Sequence, residues 1–401
     1  MLPILVQRLR FRFRTAGPLN PWMGPAVRGA VAKLWKDAVC QHPHAFRETQ
    51  WTYCKGCPHQ ASCSYGMLME PDPPAGVTVF TGQDDAIRPM VICPQYPLPS
   101  DARIGDFWQV RVTLIGQRAI AQAAEVPRWL EAAGRDPQRG LGPERIGFDL
   151  VDRDEHRTRM ELPLRISDRV GVWPHLRVRL MTPLILRQTI DGKTRPILQP
   201  RFEDLLKASL RSVGRLHALY GTALPDATFA ELKAAAASIV TRHAEFHERW
   251  QYQHSNRRQL GAQIRWISGW ATYAQVPAAL AEWLMWGGLL HSGTNRISGN
   301  GGWLVDASDS PAALPNDWHS PWPELAPLTD FGQANSVATQ PPTSLHPPDD
   351  FASRNHRRHG RFALHTTRNR HSLGSPTTLA KSPDTKKPAW NPQRRESQAG
   401  E

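Results

Sequence analysis

Residues 8–14, RLRFRFR, alternate arginine with Leu9, Phe11 and Phe13. Successive side chains leave a pleated strand on opposite sides, so this period of two marks a strand with one buried face. A helix would scatter both classes around its axis. The pattern predicts a strand over residues 7–15, with the apolar trio in a core and Arg8, Arg10, Arg12 and Arg14 in a row on the other face. Gly17, Pro18, Asn20 and Pro21 then stop it. The pattern returns about 165 residues later, where HLRVRLMTPLIL (175–186) repeats the alternation and the Thr…Pro-Leu stop of RLRFRFRTAGPL (8–19). Helical spacing follows each: residues 26–39 after the first and 202–220 after the second.

Between and after these starts the expected elements are a strand over 106–116, a helix over 126–133 closed by Gly134, and a strand over 145–151. Later come a helix over 229–250, a strand over 264–274, a helix over 276–289, and a Gly-rich loop over 293–305 leading into a short strand. Two rounds of strand, helix, strands and helix predict an α+β chain of two tandem ferredoxin-like (RRM-like) domains. The expected boundaries are 1–168, carrying a Cys-rich insertion, and 169–308, carrying the Gly-rich loop. From residue 309 Pro, Ser, Thr, Asn, His and Arg dominate, which predicts a disordered basic tail over 309–401.

Charge narrows the partner. The net charge is +13, and residues 331–401 hold 11 Lys/Arg against 5 Asp/Glu. Such a field favours polyanions, nucleic acid above all. The apolar start is broken by Arg8, and the stretch 276–290 contains Glu282 and is short for a bilayer. The expectation is a cytoplasmic protein with no membrane partner.

Four constellations carry candidate chemistry. Arginines at every second strand position lie about 6.6–7 Å apart, close to the phosphate spacing of a nucleic-acid strand. Arg8, Arg10, Arg12 and Arg14, with Arg177 and Arg179 of the second strand, are therefore candidates for binding a polyanion, against the alternative of a solvated or aggregation-resistant face. The loop LLHSGTNRISGNGGW (289–303) presents Gly293, Arg296, Gly299 and Gly301, whose backbone could approach a phosphate. It is neither a Walker nor a Rossmann loop, and a plain turn is the alternative. Cys40, Cys54, Cys57 and Cys63 have the spacing C-x13-C-x2-C-x5-C. That fits a structural zinc, with His42, His44 and His59 as substitute ligands, or else four free thiols. His42 and His44 follow the first helix and are candidates for acid–base work.

Taken together these features resemble the CRISPR pre-crRNA-processing endoribonucleases of the RAMP superfamily. The resemblance rests on PLN (18–20) with Gly24 and Arg28-Gly29-Ala30; on CKGCPHQASCSYGMLME (54–70) leading to RPMVICP (88–94) and GDFWQVRVTLIG (105–116); on LRVRLMTPLILR (176–187) followed by FEDLLKASLRSVGRLHALYG (202–221); and on HSGTNRISGNG (291–301). It covers roughly residues 5–305. The last motif is similar to the family's G-x-G-x5-G-x-G loop but has His291 where a glycine is common and Asn300 where an apolar residue is. The resemblance implies binding of CRISPR repeat RNA, which makes the arginine rows and the Gly-rich loop RNA-binding candidates and adds Arg28 to them. It also implies cleavage without a metal by 2′-OH attack, leaving a 2′,3′-cyclic phosphate. His42 and His44 stand where many relatives carry a catalytic histidine, and Lys33, Lys36 or Lys55 are candidates to steady the transition state. The other reading is a non-catalytic RAMP subunit that holds guide RNA beside other CRISPR effector subunits.

Overall fold

The computed structural model describes residues 1–40, 54, 57–73, 86–222, 224–255 and 260–307. His42, His44, Lys55 and the expected tail over 309–401 lie outside them. Two four-stranded antiparallel sheets organise the described chain. The first holds β1 (Leu2–Phe13), β2 (Met90–Pro94), β3 (Phe107–Ile115) and β4 (Phe148–Met160). The second holds β5 (Val172–Leu180), β6 (Val240–Ser255), β7 (Leu260–Pro277) and β8 (Trp303–Ala307). Their spatial orders, β4-β1-β3-β2 and β8-β5-β7-β6, are the same permutation. In each, the first and third strands pair at the centre, which is the ferredoxin-like arrangement.

Helices α1 (Gly24–Val39) and α3 (Glu125–Arg135) cover one face of the first sheet, with the short α2 (Ser64–Met69) beside α1. Leu9, Phe11 and Phe13 point into that core, packed with Val27, Val31 and Trp35 of α1; Phe11 and Phe13 stack on Trp108, and Phe148 meets Phe11 edge-on. Each such side chain contributes about 1.5–3 kcal/mol by leaving water. The opposite face of β1 is divided. Leu2, Ile4 and Val6 join the core of the second half of the molecule, whereas Arg8, Arg10, Arg12 and Arg14 continue past its edge. That second core lies between its sheet and helices α4 (Phe202–Tyr220), α5 (Asp226–Ala237) and α6 (Ala278–Leu289). α6 is apolar nearly all round because ten of its residues are buried. None of the helices among the described residues is long and apolar enough to cross a membrane.

Two expectations are corrected. The helix expected over 229–250 ends at Ala237, and Val240–Ser255 is a strand paired along its length with β7. The Ala-rich run 234–237 favours helix, but TRHAEFHERWQ alternates two polar faces, so no apolar stripe shows the change of period. The helix over 126–133 does not close at Gly134 but runs on to Arg135. Gly134 is required for another reason: a Cβ there would sit 2.1 Å from the Phe148 carbonyl oxygen.

Candidate functional site

A cleft of about 1190 Å³ opens where α1, the start of β2, α4 and the Gly-rich loop meet. Helix α4 supplies its floor. Phe202, Leu205, Leu206, Leu210, Val213 and Leu216 bury one side of this helix, which leaves Lys207, Arg211 and Arg215 aligned on another at four-residue spacing. Lys207 and Arg211 are exposed. Arg28 enters from the first turns of α1, and Arg88 from the approach to β2. Arg187 comes from a hairpin of Arg187–Ile190 with Lys193–Pro196. That hairpin closes through Asp191-Gly192, both at positive φ, the conformation a tight two-residue hairpin turn requires. With Arg296, seven cationic side chains line the cleft, and among the described residues Asp204 is its sole carboxylate. Thr189, Ser212, Thr294, Asn295 and Ser298 add hydrogen-bonding groups. Among the described residues this lining is strongly cationic, and a polyanion entering it would lower the mutual repulsion.

The Gly-rich loop does two jobs in two parts. Gly293, at φ +93, sits on the cleft rim with Thr294 and Asn295, held by the Thr294 N–H donating to Ile185 O at 3.0 Å. Gly299 and Gly301 turn inward. A Cβ on Gly299 would lie 2.7 Å from the Cα of Cys93 in β2, and one on Gly301 only 1.7 Å from the Ser292 carbonyl oxygen. Gly299 lets the loop of the second half press against the first, and Gly301 lets the loop fold tightly back on itself. Arg296 is buried, and its guanidinium donates to the carbonyls of Leu290 (2.9 Å) and Arg88. Burial is the chief reason its pKa falls to about 9; Tyr220 acts in the opposite sense, and Arg88 and Arg215 add to the fall.

The two departures of the loop from the family motif become intelligible in this setting. Buried His291 meets the Arg111 guanidinium of β3 at 3.2 Å through Nε2, and its Nδ1 lies 3.2 Å from the Asn300 carbonyl oxygen. Because Arg can only donate, this geometry assigns a neutral imidazole with the proton on Nδ1. Burial first, then Arg111 and Arg296, hold its pKa well below the ordinary value. Asn300 accepts a hydrogen bond from the Trp22 indole at 3.2 Å. Both residues bond across the junction of the two halves.

Among the residues expected from the sequence, Arg28, Gly293 and Arg296 come together in the cleft. The arginine row of β1 stands elsewhere, on the uncovered part of the first sheet. Arg8 makes a two-pronged pair with Asp154 of β4, Arg14 lies 3.6 Å from Asp149, Arg10 stacks over Phe107, and Arg12 is exposed. Arg177 and Arg179 occupy the corresponding face of β5, Arg177 over the Trp270 ring at 5.6 Å. The four cysteines are at the far end of α1, where Cys40 lies twelve residues, or about 18 Å of helix, beyond Arg28. Burial pushes the Cys54 thiol up to about 12, with Lys36 acting against it. Sequence reasoning missed Lys207, Arg211, Arg215, Arg88 and Arg187. The α4 trio was visible as a cation at every fourth residue of FEDLLKASLRSVGRL.

Two stretches of the chain match known families. Residues 2–169 match a family model described as an N-terminal domain, and residues 178–303 match that of the CRISPR-associated endoribonuclease Cas6. No curated protein matches in sequence. Among solved structures, a Cas6 product complex is similar at 14% identity over 76% of this chain and 100% of that one, with a TM-score of 0.44. Thermus thermophilus Cas6 is similar at 14% over 76% and 99%, with a TM-score of 0.39. A Cas6-related gene product from Pyrococcus furiosus is similar at 10% over 76% and 100%, with a TM-score of 0.38. Residues 178–303 are thus similar to the family of CRISPR-associated endoribonuclease Cas6, and the match lies within the second half of the described chain.

Proposed function

We propose that the protein binds CRISPR repeat RNA in the cationic cleft and cuts it once per repeat without using a metal ion. The observation that carries this reading is the cleft itself, where seven cationic side chains from both halves converge with a single carboxylate among the described residues. Backbone phosphates are the ligand that such a lining suits, and Arg forks match them in two-point contacts. In the proposed reaction a base removes the proton of a ribose 2′-OH, and the oxygen attacks the adjacent phosphorus. The bond from phosphorus to the 5′-oxygen breaks, an acid protonates that oxygen, and the products are a 2′,3′-cyclic phosphate and a 5′-OH. Cations of the cleft would offset the extra negative charge of the crowded phosphorane. His42 and His44 are the proposed proton carriers. The boundaries 1–168 and 169–308 are retained as the proposed domain limits.

The test is incubation of the full chain with its repeat RNA in EDTA, with the ends of the products analysed. A single cut leaving a cyclic phosphate supports the proposal. Unchanged cutting by His42→Ala, His44→Ala and the double variant removes both histidines from it. A second reading, that the chain holds guide RNA without cutting it, draws on one observation: no histidine lines the cleft among the described residues. Tight, repeat-selective binding with no cut in any condition would favour that reading, and binding no better than to random RNA would refute both.

A further inference from the structure

We infer that the chain holds one thiophilic divalent cation of the zinc class at the far end of α1, bound by Cys40, Cys54, Cys57 and Cys63. Three separate stretches bring these thiols together. Cys40 caps the end of α1, the Cys57 N–H donates to Cys54 O at 3.0 Å, and Cys63 caps the start of α2. All four line the same cavity of about 30 Å³, with Lys36, Val39, His59, Gln60, Tyr65 and Gly66 in its wall. That volume admits a single atom and no organic ligand. Nothing in core packing calls for four sulfurs around one void, since aliphatic side chains would fill it better.

The surroundings suit bound thiolates. Four cysteinates around a divalent ion carry a net charge of −2, and the Lys36 ammonium stands on the same wall. The Gly66 N–H already donates to the Cys63 sulfur at 3.5 Å. Glu70 anchors the arrangement from behind, accepting from the Cys54 N–H at 2.7 Å and pairing with Lys36 at 3.3 Å. Such backing partners fix the orientation of ligand-bearing segments. Among the described residues no three His, Cys, Asp or Glu side chains already converge on one centre. Binding therefore requires the thiols to turn inward from the cavity wall, a change of rotamer, with Zn–S distances of about 2.3 Å once made. Each thiol that becomes a ligand releases its proton to solvent. The ion would tie the end of α1 to α2 and fix both ends of the 41–53 stretch, in which His42 and His44 lie.

The experiment is elemental analysis of the full chain purified without chelator or immobilised-metal resin. The expected content is about one zinc per chain. It should fall to background in Cys57→Ser and in Cys63→Ser and be unchanged in Cys93→Ser and His59→Ala. Because a cysteine variant could fail to fold, a second measurement uses the unmodified sequence: exchange into cobalt(II) and record the absorption spectrum. Sulfur-to-cobalt charge-transfer bands with intense tetrahedral d–d bands are expected. Metal content near zero with no cobalt band overturns the inference. So does zinc that persists in both cysteine variants, zinc lost on replacing His59, or a thiol count showing the four sulfurs oxidised in pairs.

Discussion

Replacing Lys207 and Arg211 together by alanine tests the cleft most directly. Both side chains are exposed, both face the cleft from α4, and alanine is the best helix former, so the helix should survive. Among the described residues the ion pair lost is Lys207 with Glu203 at 3.2 Å, worth ~0.5 kcal/mol at most. For single-stranded RNA each neutralised phosphate contributes about 0.7 to the slope of log K against log salt. At an ionic strength of about 0.15 M each contact is then worth ~0.6 log unit relative to 1 M. Losing two should weaken binding roughly 15-fold, or about 1.6 kcal/mol, and flatten the slope by about 1.4. The assay is fluorescence anisotropy of labelled repeat RNA across a salt series, with thermal melting to verify the fold. An unchanged slope with unchanged affinity would refute the assignment of the cleft as the RNA path. A weaker affinity at an unchanged slope would mean that the two residues act through structure and not through phosphate.

Three further expectations follow from the geometry. Arg10→Ala with Arg12→Ala, on the open face of the first sheet, should lower RNA affinity about as much as the α4 pair if that row also tracks the backbone, and leave it unchanged if RNA stays in the cleft; the same anisotropy series decides. Gly299→Ala places a Cβ 2.7 Å from the Cys93 Cα at φ +82, and should cost about 2–4 kcal/mol, read as a lower denaturant midpoint. For His291, the folded chain keeps the imidazole neutral while the unfolded chain takes up a proton below about pH 6.5, so acid favours the unfolded state. Stability should therefore be complete above about pH 6.5 and fall by up to about 1.4 kcal/mol per pH unit below it. His291→Gln should flatten that dependence in urea titrations, and identical slopes in both proteins would refute the burial argument.

How much of this was legible in the sequence depends on whether one face of an element carried a distinct chemistry. RLRFRFR and HLRVRL could be read because apolar and basic residues alternate strictly, and both are first strands of equivalent sheets. The strand Val240–Ser255 could not, since neither of its faces is consistently apolar and Phe246 is its one buried large side chain among those described. The cleft was half legible. Arg28, Gly293 and Arg296 were identified from motifs, but the α4 cations were passed over because the apolar period of that helix dominates its pattern. The glycines misled in an instructive way: Gly299 and Gly301 signal close approach of backbone, and the approaching backbone is the protein's own.

A cleft built from two domains binds a long anion strongly only if the halves are already fixed, because otherwise binding must supply the ordering cost. Here the two halves interlock at several independent places. Leu2, Ile4 and Val6 of β1 lie in the core of the second half. His291 bonds Arg111, Asn300 bonds Trp22, and the Arg296 guanidinium bonds the Arg88 carbonyl while its neighbour Asn295 opens onto the cleft. Gly24 at the head of α1 leaves no room for a side chain against the Ser298 carbonyl, so the helix that presents Arg28 is seated on the loop that presents Gly293. The residues that depart from the family's loop pattern are thus among those that join the halves. A substitution at His291 or Asn300 should therefore weaken RNA binding through the spacing of the cations, without removing any cation from the cleft.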